Sequence, residues 1–322
     1  GQYSTDALAS ASFVNNLFNL PIFAAMGFSY GLTPLVGALF TNGDSARIGK
    51  LLRAGILVNI VCTLLLMAIM AGVYLYLPRM GQPEELLPII RPYFLIYLAG
   101  MVPMAIFNVF AQLSYGIRNT SMPMWIMLSV NLLNILGNYM LIYGNWGAPE
   151  LGLTGAGIST FTARFVSAAV IAGVFFLAPA HCQYALGYTR SRCDGDTVRH
   201  VLNMSWPVSL QMSFETAAFS GCAVLCGWLG AIEMAAFQIV VVVGMLGFCI
   251  YYAMATAVAV LVSNEAGRGD TREMRRKALA GYGVILAACT LSSLFFALGA
   301  SQVMGIFTED TAVLAAATGV IL

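Results

Sequence analysis

Residues 54–77 read AGILVNIVCTLLLMAIMAGVYLYL, twenty-four consecutive positions without a charged side chain. A transmembrane helix needs about 20 predominantly apolar residues, whereas a strand of a membrane barrel alternates apolar and polar residues over roughly ten. The whole chain shares this character: 60% of its 322 residues are hydrophobic and 9% are charged, against about 25% charged in soluble domains. Composition therefore excludes a soluble enzyme, a nucleic-acid-binding protein and a disordered chain, and it predicts an all-α polytopic membrane protein.

Charged residues and Gly/Pro clusters divide the chain into nine predicted spans. These spans cover 8–39, 51–77, 88–115, 122–143, 153–178, 202–228, 234–264, 278–300 and a segment from about 311. The last one stops at Leu322, after about half the length that a span requires. The chain begins at Gly1, and no signal-peptide pattern precedes the first span. We therefore expect a piece of a longer protein, truncated at both ends.

The basic residues predict the orientation of the spans. Twelve of the 15 Lys and Arg residues fall in alternate loops, around 41–53, at Arg118, in 179–200 and in 265–277, whereas the intervening loops hold two. Loops rich in Lys and Arg remain on the cytoplasmic side of a membrane. We therefore expect a multi-pass protein of the cell inner (plasma) membrane, with the connector 181–200 in the cytoplasm.

The chain resembles itself at an offset of 226 residues. In both copies a long span is followed by a basic loop with a Gly-Asp pair, Gly43-Asp44 or Gly269-Asp270, and then by the next span. Six spans separate equivalent points, so the repeat is parallel in topology, as in secondary transporters with two pseudo-symmetric helical bundles. The predicted parts are an N-terminal lobe at 1–180, the connector at 181–200 and a C-terminal lobe at 201–322.

Glu215 is the one acidic residue, of fourteen, that lies deep inside a predicted span. It sits thirteen residues into the sixth span, close to the bilayer midplane at about 1.5 Å per residue. A charged carboxylate costs at least about 2.5 kcal/mol there, so it persists where it pairs, faces water or is protonated. Those states suit a site that exchanges Na⁺ or H⁺. The alternative is a neutral carboxyl that packs between helices.

Arg164 is the one cation inside a span. It either contacts an anionic group in a cavity or extends toward the inner face and anchors its helix.

Several other polar side chains lie within spans. Asn134 and Asn138 share one face of the fourth span, where they either form hydrogen bonds between helices or line a polar cavity. Prolines inside spans can bend their helices, and Pro34 and Pro207 are the candidates for such bends. The candidates for a substrate cavity are Asn134, Asn138, Gln211, Phe214, Gln238 and Arg164.

Catalytic and metal motifs are missing from the sequence. Both His residues lie in the connector, and the seven Cys show no zinc spacing. We therefore expect no enzyme, no cofactor and no metal beyond a possible Na⁺ at Glu215.

Three groups of motifs resemble the multidrug and toxic compound extrusion (MATE) family, in its NorM-like branch. They are Arg118-Asn-Thr-Ser-Met-Pro with Asn134 to Tyr143 and Gly147-Ala-Pro-Glu-Leu-Gly-Leu-Thr-Gly-Ala-Gly; Leu32-Thr-Pro-Leu-Val-Gly with Asn42-Gly-Asp; and Trp206-Pro, Phe214-Glu-Thr and Ala235-Ala-Phe-Gln. The resemblance covers essentially the whole chain. It implies helices 2–6 of the family before the connector, and helices 7–9 with part of 10 after it.

The same resemblance implies an antiporter that exports cationic or amphipathic drugs in exchange for Na⁺ or H⁺ and works as a monomer in the lipid bilayer, without nucleic acid. Glu215 occupies the position of the family's coupling carboxylate, and Gln238 matches a family glutamine, whereas Phe237 stands where a His is usual. The alternative is a flippase for lipid-linked oligosaccharides or lipid II of the same superfamily. Such flippases place several basic residues in the cavity, and the spans here offer only Arg164.

Overall fold

The computed structural model describes residues 5–79, 84–192 and 194–305, and every regular element in those ranges is helical. The α-helices are α1 (Thr5–Tyr30), α2 (Leu32–Thr41), α3 (Ser45–Tyr76), α4 (Leu87–Ala99), α5 (Met101–Gly116), α6 (Ser121–Tyr143), α7 (Gly152–Leu177), α8 (Cys182–Arg190), α9 (Gly195–Leu229), α10 (Ala231–Arg268) and α11 (Thr271–Gly305). By length and hydropathy, eight segments of the described chain can cross a membrane, and α1–α2 and α4–α5 each form one of them. The polytopic helical fold is thus confirmed, while the span predicted from about 311 lies outside the described residues.

Two spans are interrupted at a glycine that is followed three residues later by a proline. Gly31 separates α1 from α2 and precedes Pro34, while Gly100 separates α4 from α5 and precedes Pro103. Proline has no N–H to donate to the carbonyl four residues earlier, so each break lies where a helical hydrogen bond cannot form. By contrast, α9 runs without interruption through Pro207.

The contacts divide the chain into two compact units, Gly1–Ser213 and Phe214–Leu322. The division between these units lies inside α9, and the lobe boundary in the connector 181–200 stays a prediction. The connector is largely ordered, since it contains α8 and the first residues of α9. The sequence placed the start of this span near 202, but α9 begins at Gly195.

The first unit has an apolar interior in which polar side chains bond to one another. Phe18 and Phe94 are fully buried and meet edge to face with ring centroids 4.8 Å apart. Elsewhere in this unit the buried Ser29 hydroxyl donates to Asn59 Oδ1 at 2.7 Å. Such hydrogen bonds satisfy polar groups that lipid could not.

The helix α8 packs closely on α3. A Cβ atom on Gly49 would overlap backbone atoms of α8, so only glycine allows this approach. Beside it, Lys50 Nζ lies 2.9 Å from an Asp194 carboxylate oxygen, and Arg53 Nη1 donates to the Ser191 carbonyl at 2.6 Å. Hydrogen bonds from Thr197 and Lys50 hold the pKa of the Asp194 carboxyl below its ordinary value. These contacts fix the connector to the first unit.

The repeat at an offset of 226 residues appears in the backbone of two helix turns. Gly43 and Gly269 both adopt left-handed φ angles, 70° and 75°. Their amides donate to the carbonyls three residues earlier, at 3.1 Å in both copies. The carboxylates of Asp44 and Asp270 then accept from the amides of residues 47 and 273, at 3.1 and 3.0 Å. Each aspartate therefore caps the helix that follows, α3 or α11.

A second pair of contacts follows the same offset. A Cβ on Gly55 would lie 2.8 Å from the Leu32 side chain, and one on Gly281 would lie 2.5 Å from that of Val258. Leu32 and Val258 are themselves 226 residues apart. The two bundles thus share helix packing as well as helix order.

A buried ion pair lies beside the turn between α10 and α11 in the second unit. Glu265 is 3% exposed, and its carboxylate lies 2.5 Å from Lys277 Nζ and 3.1 Å from Arg268 Nη1. A buried carboxylate needs such partners because water cannot solvate it.

We expect the Gly49→Ala substitution to lower the free energy of unfolding by about 1–3 kcal/mol, because the new methyl group overpacks the contact between α3 and α8. The matched control is Gly72→Ala on the same helix, where no atom lies within 4 Å of the new Cβ. The control should be neutral or stabilising, because alanine favours a helix more than glycine does. Thermal unfolding in detergent measures both, and equal melting temperatures would contradict the packing described above.

We expect Asp44→Ala and Asp270→Ala each to cost about 1 kcal/mol, since each removes the cap of a helix. Asp→Asn at the same positions keeps the acceptor oxygen and should restore most of that loss. Amide exchange in the first turns of α3 and α11 reports the two caps separately. An effect at one aspartate and none at the other would show that the turns are not equivalent.

Candidate functional site

Glu215 lies near the centre of α9. The helix contains 35 residues, and Glu215 lies three residues past its midpoint, a rise of about 5 Å. The whole helix forms one of the segments able to cross a membrane. Glu215 therefore stays at mid-depth in the structure, even though α9 begins earlier than the sequence predicted.

One face of α9 is buried along its first half. Val201, Ser205, Ser209 and Met212 are buried at helical spacing. Glu215, three residues beyond Met212, is half-buried. The carboxylate is thus neither fully exposed nor sealed within the described structure.

The first half of α9 is held against α1 by glycine–serine contacts. A Cβ on Gly27 would overlap the backbone of Ser209, and one on Gly31 would overlap the side chain of Ser205. The Ser209 hydroxyl also donates to the Ala24 carbonyl at 2.8 Å. The helix segment that leads to Glu215 is therefore anchored in the first unit.

Gln211 and Phe214 flank Glu215 on α9 and are both exposed, Phe214 to 70%. Gln238 is exposed on α10. Their roles as walls of a substrate cavity stay predictions.

Arg164 lies at the middle of α7, as the thirteenth of its 26 residues. Its Cζ lies 4.5 Å from the centroid of the Tyr97 ring. Its Nη1 is buried, has no hydrogen-bond partner among the described residues and lies next to Gly100. Because Gly100 interrupts the middle of the span Leu87–Gly116, the guanidinium rests at mid-depth rather than at the inner face.

Glu215 and Arg164 share one electrostatic property. None of the ion pairs in the described parts of the chain includes either residue. A charged group at the centre of a membrane helix costs about 2.5–3.5 kcal/mol on insertion scales. Both side chains therefore need water, a proton change or a ligand to offset that cost.

Asn134 and Asn138 connect α6 to α7. The Asn134 amide donates to Ser159 Oγ and Thr160 Oγ1, each at 3.4 Å, and Ser159 donates back to the Asn134 carbonyl at 3.0 Å. Asn138 donates to Asn134 Oδ1 at 3.1 Å, while its own Oδ1 is buried without a partner in the described chain. The interhelical hydrogen bonds are therefore present, and a further role in a cavity stays a prediction.

The sequence singled out Arg164 but missed its neighbour Tyr97. Both lie at the centre of their predicted spans, 153–178 and 88–115. Equal depth was a usable signal, but it did not reveal which faces of α4 and α7 meet.

A separate cavity of about 520 Å³ lies in the first unit near the basic helix ends. Its walls include Leu35, Leu39, Arg47, Lys50, Asp196 and His200. It is distant in sequence from the mid-span charges, and Asp196 offsets part of its positive charge.

Known proteins resemble this chain in sequence and in structure. The sequence profile of the MatE family matches residues 1–140 and 207–322. A protein of Xanthomonas axonopodis pv. citri named probable multidrug resistance protein NorM is 30% identical over 326 residues, which cover 100% of this chain and 70% of that relative.

Solved structures share the fold. The eukaryotic MATE transporter AtDTX14 superposes with a TM-score of 0.84 at 15% identity, over 100% of this chain and 71% of the other. A MOP superfamily transporter from Pyrococcus furiosus gives a TM-score of 0.83 at 19% identity, over 99% and 71% of the two chains. With eight segments able to span a membrane and a family match over most of its length, this chain belongs to the MATE family of multi-pass membrane transporters and is not an enzyme.

Proposed function

We propose that the protein is an ion-coupled multidrug antiporter, which exports cationic or amphipathic drugs in exchange for Na⁺ or H⁺ by alternating access. The observation that carries this proposal is the half-buried Glu215 at the centre of a membrane-spanning helix, outside every ion pair of the described residues. The name of the Xanthomonas relative, a probable multidrug resistance protein, supports the drug specificity.

The Glu215 carboxylate couples the two ligands because it can hold only one positive charge at low cost. A bound Na⁺ or proton neutralises it in one state, and a cationic drug competes with that ion in the other. Coupling of this kind is reciprocal: the ion weakens drug binding by the same factor by which the drug weakens ion binding. Typical coupling free energies of about 1–3 kcal/mol correspond to a 5- to 150-fold change in affinity.

The neighbours of Glu215 on α9 are compatible with either ion. Thr216 follows it directly and Gln211 precedes it by one turn, and both side chains carry oxygen atoms, which hard cations prefer as ligands. Proton exchange requires the carboxylate alone. The identity of the coupling ion therefore depends on measurement.

The protein acts in the cell inner membrane as a monomer, with the connector 181–200 in the cytoplasm. The basic residues near the start of α3 and between α10 and α11 support this orientation.

The flippase alternative has no comparable support. Recognition of a lipid pyrophosphate requires several cations at mid-depth, because each phosphate group carries delocalised negative charge. Among the described spans, Arg164 is the one cation at mid-depth. Rescue of cell-envelope synthesis without drug resistance would nevertheless favour the flippase over the antiporter.

We expect Glu215→Gln in the full-length transporter to reduce ion-driven drug efflux to the rate seen without an ion gradient, because the amide cannot exchange a cation or a proton. The matched control is Glu233→Gln, which removes one carboxylate from the first turn of α10 and should leave efflux near wild type. Efflux of a fluorescent cation from membrane vesicles measures both variants.

Drug binding supplies a second readout of coupling. Rising Na⁺ concentration or falling pH should weaken drug binding to the wild type but not to the Glu215→Gln variant. Ion-driven efflux at the wild-type rate in this variant would remove Glu215 from the mechanism.

A further inference from the structure

Arg164 is the mid-depth charge that the proposed ion exchange leaves without a role. Its position at the centre of α7, against Tyr97, is incompatible with anchoring at a membrane surface. An arginine cannot lose its charge in a protein. The positive charge must therefore be balanced by an anion or by water.

The guanidinium has one face covered and an edge available. Tyr97 covers the face in a cation–π contact with 4.5 Å between Cζ and the ring centroid. Next to Nη1 lies Gly100, where an added Cβ would be 3.1 Å from that nitrogen. The absence of a side chain at this helix break leaves space beside the N–H groups.

The surroundings of the guanidinium are aromatic and polar but, among the described residues, not acidic. Tyr97 contacts Phe18 and Tyr93 with ring centroids 4.9 and 5.7 Å apart, and the Tyr93 hydroxyl bonds to Asn15 Oδ1 at 3.4 Å. No ion pair in the described chain includes Arg164, and its buried Nη1 has no acceptor there. The geometry thus offers N–H donors and aromatic faces together.

We propose that Arg164 binds the carboxylate of aromatic zwitterionic substrates, with two parallel N–H donors toward the two carboxylate oxygens and with the aromatic group Tyr97–Phe18–Tyr93 against the substrate ring. Arginine suits this role because its planar fork matches a carboxylate, whereas lysine offers a single point charge. The proposal rests on the proposed efflux function and adds a substrate class to it.

The test uses two substrates that differ in one group: an aromatic amino acid-type zwitterion with a tertiary amine and a free carboxylate, and its methyl ester, which is a pure cation. In the full-length transporter, Arg164→Gln should slow efflux of the acid by about tenfold or more, as expected for loss of a charge-assisted hydrogen bond. Efflux of the ester should change less than about twofold, since the ester has no anion to bind.

Two variants separate recognition from folding. Arg164→Lys keeps the charge but loses the fork, so it should retain part of the discrimination between acid and ester. Gly100→Ala keeps Arg164 but places a methyl group beside Nη1, so it should also impair the acid selectively. Arg118→Gln, which removes a cation from the loop before α6, is the matched control and should leave the acid-to-ester ratio unchanged.

Each outcome decides the proposal. Selective loss of the acid in Arg164→Gln and Gly100→Ala, at wild-type melting temperature, supports it. Equal loss of both substrates would show that the guanidinium pairs inside the protein, and wild-type efflux of the acid would show that it binds no carboxylate; either result overturns the proposal. A wild type that exports neither substrate with an ion gradient would instead contradict the efflux function itself.

Discussion

The exclusion of unpaired charge from the centre of a bilayer is the constraint on which this structure depends. Of the 29 charged residues, all but Glu215 and Arg164 lie in loops or toward the ends of spans. Those near the helix ends pair locally, as Lys50 does with Asp194 and Lys277 with Glu265. The two exceptions carry the cost of mid-depth charge without an ion-pair partner among the described residues, and that cost is accounted for by ligands.

Helix packing in this protein depends on glycine rather than on hydrophobic attraction, because lipid is as apolar as the side chains that it surrounds. Gly27 and Gly49 each allow another helix to approach at backbone distance. Gly31 and Gly100 serve a different purpose, since they interrupt spans three residues before a proline. Broken helices are tolerated in membranes where protein surrounds them, and the break at Gly100 lies beside the Arg164 side chain.

The sequence predicted the spans, the repeat and both mid-depth charges, because all of these depend on depth in the membrane, which hydropathy reports. It misplaced the start of α9. Asp196, Arg199 and His200 lie in its first turns, and polar residues of that kind resemble a loop when hydropathy alone is considered. A 35-residue helix is about 50 Å long and extends well beyond a hydrocarbon core of about 30 Å, so helix ends and membrane boundaries do not coincide.

The candidate site was predictable by residue but not by neighbour. Glu215 and Arg164 follow from charge and depth, and the face shared by Asn134 and Asn138 follows from helical spacing. The stacking of Arg164 on Tyr97 depends on how α4 rotates against α7. Rotation is set by the sum of many packing contacts, and periodicity carries little information about it when a helix is apolar all round.

The repeat shows which features of the two bundles are free to differ. The turns at Gly43 and Gly269 retain the same backbone hydrogen bonds. At the same offset, however, the buried pair Glu265 and Lys277 corresponds to Leu39 and Leu51. A well-formed buried ion pair and an apolar pair of similar size are close in stability, so either can secure the turn. Backbone geometry therefore defines the common scaffold, and side-chain charge is left free to give the two bundles different chemistry.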